Sequence, residues 1–377
     1  MLMKSLKEIM QNFLDRADIK IDGKRPWDIQ VNNQKLYLRI LRGGTLALGE
    51  AYIDKWWDCE AIDQFVDRFL KLILRLNFDI KIRAISYLAW NNIKARIVNQ
   101  QRKSKAYIIG ERHYDNGNEL YKNMLGKGMN YSCGYWKDAK TLEEAQEAKL
   151  DLICRKLNLR PGMSVLDIGC GWGSLVKFAA KKYHVKAIGI TVSKEQVKLA
   201  RELCKGLDIE IRLQDYRDLK EKFDRVVSVG MFEHVGYKNY RKFIKIVGRC
   251  LKNEGLFLLH TIGGNRSVVC VDSWINKYIF PNGMLPSAKQ ITRAYEGIFK
   301  LEDWHSFGTY YDKTLMAWYK NFNKNWDRIK NYYDERFRRM WNYYLLSCAG
   351  SFRAHNNQLW EIVFSKIGSQ VNYENIR

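Results

Sequence analysis

Apolar positions along the 377-residue chain follow two different periods, and the change falls near Pro161. Before it, Ile62, Phe65, Val66, Phe69, Leu70, Ile73 and Leu76 recur every three or four residues, the spacing of one apolar stripe on a helix. The preceding segment KLYLRILRGGTLALGEAYIDKWW is expected to be a strand pair turning at Gly43–Gly44. After Pro161, short apolar runs alternate with amphipathic stretches. SVLDIGCGWG reads as a strand running into a glycine-rich turn; HVKAIGITVS, IEIRLQDYRD, FDRVVSVGMFEHVG and EGLFLLHTIG read as strands; KEQVKLARELC and YRKFIKIVGRCL read as helices. Repeated strand–helix units imply a parallel sheet covered on both faces. One long basic helical region is expected from Asp312 to about Arg339, and NQLWEIVFSK as a final strand. The fold class is therefore α/β: a Rossmann-like sheet with helices on both faces, plus a smaller N-terminal α/β domain. The domains are expected at 1–105 and 106–377.

Composition narrows the partners. Lys+Arg number 64 against Asp+Glu 41, a net charge of +23, which favours a polyanion: nucleic acid or an anionic membrane face. No helix-turn-helix, zinc-finger or RNA-binding signature is legible, so the membrane is the better expectation. Lys94, Arg96, Arg102, Lys103, Lys105 and the amphipathic N-terminal helices are candidates to meet it. The eight cysteines form no C-x-x-C pair and no Cys/His group with zinc spacing, so reduced thiols in a cytoplasmic protein and no metal site are expected. No run of about 18 apolar residues is present, so nothing is expected to span a bilayer.

The first apolar strand, Val165–Ile168, runs into Gly169, Gly171 and Gly173. Glycines there let the backbone approach a ligand at the carboxyl edge of the sheet and open a helix. The spacing G-x-G-x-G is not the dinucleotide G-x-G-x-x-G. Asp167 before the turn, and Gln214, Asp215 and Tyr216 after the third strand, suit S-adenosylmethionine better, with Asp215 accepting from an adenine amine. The second strand ends in Thr191 and Ser193 where an acidic residue often holds a ribose. Gln196, just inside the next helix, could help hold the ribose or the methionine part.

GMNYSCGYWK places the lone thiol of Cys133 among Tyr131, Ser132, Tyr135 and Trp136. By itself Cys133 reads as core packing, a metal ligand, a nucleophile or pocket lining; Glu233 alone is an even choice between a structural and a functional role, and His260 alone is more often a satisfied core histidine. The set YSCGYW, VLDIGCGWG, GITVS, LQDYRD, GMFEHVG, LLHTIG, WINKYIFPNG, FGTYYDKTLMAWY and CAGSFRAHNNQLW, in that order, resembles the bacterial cyclopropane-fatty-acyl-phospholipid synthases. The resemblance implies a class I methyltransferase fold with a lipid-binding N-terminal domain. It implies transfer of a methylene group from S-adenosylmethionine to the cis double bond of an acyl chain in a membrane phospholipid. The alkene attacks the sulfonium methyl, a bicarbonate ion takes a proton from that carbon, the ring closes and S-adenosylhomocysteine leaves. Carried over position by position, the bicarbonate cradle is Cys133, Glu233, His260, Tyr311 and the backbone of Ile262. Tyr131, Ser132, Asp167, Gly169, Gly171, Gly173, Thr191, Ser193, Gln196, Gln214, Asp215 and Tyr216 hold the cofactor. Cys133 then lines the pocket and forms no covalent intermediate, because the alkene is already the nucleophile. His234, next to Glu233, reads as a cap or packing residue. The resemblance further implies a homodimer attached to the inner face of the cytoplasmic membrane, acting on unsaturated phospholipids and not on nucleic acid.

Overall fold

A computed structural model describes residues 2–76 and 117–377. Lys94, Arg96, Arg102, Lys103 and Lys105, and the expected domain boundary after residue 105, lie outside the described residues. The chain divides into two compact units. One gathers the described parts of Met1–Val98 with Cys270–Pro281 and Tyr311–Asn357; the other gathers those of Asn99–Val269 with Asn282–Tyr310 and Gln358–Arg377.

The first unit is mostly helical, with helices Leu2–Asp15, Leu36–Ile53, Ile62–Arg75, Ser273–Tyr278 and Glu335–Arg353. Its only sheet among the described residues pairs β1 (Gln30–Val31) with β2 (Trp57–Asp58). The expected strand pair across Gly43–Gly44 is instead a helix broken at Gly44, where φ is 55° and ψ −138°. The glycines interrupt a helix here and do not turn a hairpin; Ala47, Ala51 and Tyr52 repeat at helical spacing and are buried. An aromatic centre holds the unit together: Trp57 is fully buried, its ring 5.3 Å from Tyr52 and 5.7 Å from Phe65, and Tyr343 lies 4.7 Å from Trp274. Arg353 ties separate segments by donating to Asp312 at 2.9 Å and to Asp63 at 2.6 Å. The expected continuous helix from 312 to 339 is three: Thr309–Lys324, Trp326–Ile329 and Glu335–Arg353. Asp334 starts the last of them by accepting from the Phe337 N–H at 2.7 Å, so a new N-cap replaces continuation.

The second unit is the expected sheet. Its strands are β3 (Ser164–Ile168), β4 (Lys186–Thr191), β5 (Ile209–Leu213), β6 (Phe223–Val229), β7 (Leu251–Gly264), β8 (Phe299–Ser306) and β9 (Asn357–Lys366), in the order β5-β4-β3-β6-β7-β9-β8. The first five are parallel, and β8 runs antiparallel to β9. Alternate residues feed the two faces. Val165, Val227 and Leu258 pack with Ile153, Val176 and Ala200 on one side; Leu166, Val226 and Phe257 pack with Phe243, Val247 and Ile291 on the other. Neighbouring apolar residues that both find a core explain why these strands read as continuous apolar runs. The chain order reverses between β3 and β6, and at such a switch point the carboxyl ends of the strands leave a crevice.

Candidate active site

The crevice is a cavity lined by the turn after β3, the ends of β4, β5 and β6, and the segment 129–132. Ten of the expected cofactor residues line it: Tyr131, Ser132, Asp167, Gly169, Gly171, Thr191, Gln196, Gln214, Asp215 and Tyr216. The remaining two stand behind it as helix caps. Gly173, in the left-handed region at φ 81°, opens helix Ser174–Tyr183, and the Ser193 hydroxyl accepts from the Gln196 N–H at 3.3 Å to open Lys194–Leu203.

The polar groups of the cavity already have characters set by the fold. The Thr191 hydroxyl donates to Gln196 Oε1 at 2.7 Å, fixing that side chain. Asp215 is buried and accepts from both the backbone N–H (2.9 Å) and the guanidinium (3.0 Å) of Arg217, so a purine amine would share it with that cation. Asp167 is buried with Oδ1 lacking a hydrogen-bond partner among the described residues, and burial lifts its carboxyl to about 7 despite nearby Lys149. His234 lines the cavity as well, although its position suggested packing.

Lys149, on helix Leu142–Lys156, gave no signal in the sequence. It is buried in this cavity and donates to Asn130 Oδ1 at 3.0 Å and Ser132 Oγ at 3.1 Å. Burial pulls its ammonium down to about 8, while Glu361, Cys133 and Asp167 oppose the loss of charge. A lysine in an amphipathic helix reads as a solvated surface group; only the tertiary packing turns it inward.

Three members of the expected base set, Glu233, His260 and Ile262, lie on the neighbouring strand ends, whereas Cys133 lies in the loop before helix Leu142–Lys156 and Tyr311 on helix Thr309–Lys324. Glu233 sits in a short 3₁₀ turn after β6, and its Oε1 accepts from the Ile262 N–H of β7 at 2.7 Å. That contact engages the backbone group expected to meet an anion and leaves Glu233 Oε2 buried without a partner among the described residues. Burial raises this carboxyl to about 7, partly offset by the Ile262 bond. His260 faces Val229 across the β6–β7 pair and is buried. Its Nδ1 lies 3.1 Å from Glu361 Oε1, and its Nε2 lacks a partner among the described residues. Cys133 is fully buried and donates to the Gly134 carbonyl at 3.2 Å. Tyr135 lies 5.4 Å from the ring of Phe307, which lies 6.0 Å from that of His260. Tyr310 joins this cluster, 5.5 Å from Tyr135. Tyr311 is buried in the other unit, its ring 4.6 Å from Phe352 and 5.9 Å from Trp318.

None of the eight cysteines is in a disulfide. Among the described residues no group of acidic, His and Cys side chains could hold a metal ion, and no helix is long and apolar enough to cross a membrane.

A family model for mycolic acid cyclopropane synthetase matches residues 101–362. Over 358 residues the chain is 52% identical to the cyclopropane-fatty-acyl-phospholipid synthase of Escherichia coli, covering 95% of this chain and 93% of that protein. A probable fatty acid methyltransferase of Pseudomonas putida is 40% identical, with 64% of each chain covered. Among solved structures, the cyclopropane synthase MmaA2 from Mycobacterium tuberculosis superposes with a TM-score of 0.65 at 30% identity, over 69% of this chain and 98% of that one. A mycolic acid cyclopropane synthase complexed with SAH and CTAB gives 0.65 at 32% over the same shares.

Proposed function

Because the chain belongs to the mycolic acid cyclopropane synthetase family, we propose that it is an S-adenosylmethionine-dependent cyclopropane-fatty-acyl-phospholipid synthase, which closes a three-membered ring on the cis double bond of a phospholipid acyl chain. S-adenosylmethionine supplies an electrophilic methyl group that the alkene takes, and S-adenosylhomocysteine is the product released. The residues of the cavity fit such a ligand. Asp167 Oδ1 is a buried acceptor awaiting an ammonium, Lys149 is a buried cation for a carboxylate, and Gln214, Asp215 and Tyr216 suit the adenosine end.

The base site carries the finer part of the reading. Two buried polar atoms without partners among the described residues, Glu233 Oε2 and His260 Nε2, stand on adjacent strand ends. Buried polar atoms cost free energy unless something binds them, and a bicarbonate ion, with both acceptor and donor capacity, satisfies both. Cys133, Glu233, His260 and Ile262 then shape the anion's pocket, with Tyr311 as the family's tyrosine. Ile262 acts indirectly by fixing Glu233. Cys133 lines the pocket and forms no bond to carbon. The basic surface docks the enzyme peripherally on the inner face of an anionic membrane, and a homodimer would double that contact.

The test incubates the protein with S-adenosylmethionine and vesicles of an unsaturated phospholipid. Ring closure adds one CH2 per lipid and removes the olefinic proton signals. A methylated lipid that keeps its alkene would instead support a branching fatty acid methyltransferase, and no gain would reject both. In the same assay Tyr311→Phe should lose most turnover and Tyr310→Phe little; the reverse would move the hydroxyl to Tyr310, the residue clustered with Tyr135.

A further inference from the structure

Behind His260 lies a buried chain of charges that no expected site residue belongs to. Glu361, from β9, is fully buried, with Oε1 3.1 Å from His260 Nδ1 and Oε2 2.9 Å from the ammonium of Lys156. Lys156 is also fully buried, 3.0 Å from His305 Nδ1 and 3.6 Å from Asp303. Asp303 in turn is held by the Arg377 guanidinium at 2.5 and 2.6 Å. Counting formal charges, Lys156 and Arg377 balance Glu361 and Asp303. With both histidines neutral the cluster is therefore neutral, whereas a charged His260 would leave a buried net positive charge beside Lys149, which also bears on it.

We infer that Glu361 is a positioning residue for the reaction proposed above: it holds neutral His260 as the Nδ1–H tautomer, so that Nε2 presents a lone pair and receives the proton released at ring closure. With Nδ1–H donated to Glu361, Nε2 can only accept. His260 therefore cannot donate to a bound oxyanion at rest; it takes that ion's O–H. The step balances without a co-reactant. The C–H bond of the transferred carbon breaks, its electron pair closes the ring, and the proton passes through the bound oxyanion to Nε2. The oxyanion is restored, and the new imidazolium stays paired with Glu361, leaving the cluster with one excess positive charge that favours loss of the proton. Lys156 keeps Glu361 ionised: burial alone would raise that carboxyl, yet Lys156 and His260 hold it down to about 2. Burial lowers His260 itself against the pull of Glu361, and lowers His305 to about 4, so both rest neutral at pH 7. The proton is then returned to solvent between turnovers.

The inference rests on the proposed function, but its first test does not need turnover. In protein labelled with 15N at histidine, long-range 1H–15N spectra report the tautomer, the His260 signals being those missing from His260→Asn. The expected result for the wild type at pH 7 is a neutral ring with the proton on Nδ1. Glu361→Gln should scramble the tautomer and lower kcat by about 10² with little change in KM, a typical share for a proton-transfer group. Glu361→Asp, which retains the charge beside Lys156, should recover part of both. A wild-type ring protonated on Nε2, or a Gln variant with unchanged tautomer and kcat, would overturn the assignment. If Glu361→Gln does not fold, the wild-type spectrum still decides. If the tautomer is as expected but His260→Asn turns over normally, the tautomer stands, and both the proton-acceptor role and the proposed base site fall.

Discussion

At the scale of single residues, the energetics of the site are dominated by what burial does to charge. Glu233 shows this most clearly, because one oxygen is tied to the Ile262 N–H and the other has no partner among the described residues. In the unfolded chain its carboxyl titrates near 4.5, and in the fold near 7. The folded state thus holds a proton that the unfolded state gives up between these values. The sign follows: wild-type stability is unaffected below about pH 4.5 and falls as pH rises towards 7, by roughly 3 kcal/mol if the whole displacement is realised. Glu233→Gln keeps the acceptor for Ile262 and removes the titration. The Gln variant should therefore gain stability relative to wild type as pH rises from 4.5 to 7, and the gap should stay constant above that, as read by denaturant melts along a pH series. Turnover should be abolished while S-adenosylmethionine still binds. A gap that does not change with pH would mean that Glu233 is ionised or solvated in the fold.

At the scale of elements, the strand–turn–helix after β3 is where local sequence and site coincide. Gly171 sits in the left-handed region at φ 55°, and a Cβ built there meets nothing within 4 Å, because it projects into the cavity. Gly206, in the turn after helix Lys194–Leu203, has φ 81° and is equally unobstructed but does not line the cavity. Alanine at either position costs about 1–2 kcal/mol of backbone strain. Only Gly171→Ala should also weaken S-adenosylmethionine binding, by about tenfold or more as measured by calorimetry, because its methyl occupies ligand space. Equal affinities in the two variants would show that the turn is structural and the cofactor lies elsewhere. This element was legible because its glycines and the apolar run before them are contiguous, and the strands of the sheet were legible for the same reason. Leu36–Ile53 was misread because Gly43–Gly44 signals a hairpin as strongly as a helix break, and only burial of Ala47, Ala51 and Tyr52 decides between them. Lys149 and Glu361 were invisible for a different reason. Each is an ordinary polar residue in its own element and becomes chemically special only when tertiary packing removes water from around it.

At the scale of the whole molecule, the surplus of positive charge bears on the proposed substrate, an acyl chain within a bilayer. The net charge of +23 is far more than cofactor binding needs, since the cavity contains acidic groups, Asp167 and Asp215, as well as Lys149. Many of the basic residues are already committed to internal work. Arg353 and Arg339 bridge segments of the helical unit, and Lys156 and Arg377 balance buried carboxylates. The exposed remainder is what an anionic surface would attract, at about 1 kcal/mol for each well-placed charge and only within a Debye length. Binding to vesicles containing anionic lipid should therefore weaken steeply between low and about 0.5 M salt, where screening shortens to a few ångströms. Neutral vesicles of the same chains should bind weakly at all salt concentrations. Affinity for S-adenosylmethionine, measured in parallel without vesicles, should change far less if its contacts are those proposed, in the cavity at the strand ends. Vesicle flotation with and without anionic lipid separates these terms. Salt-independent binding to neutral vesicles would show that apolar insertion, and not charge, brings the enzyme to its substrate.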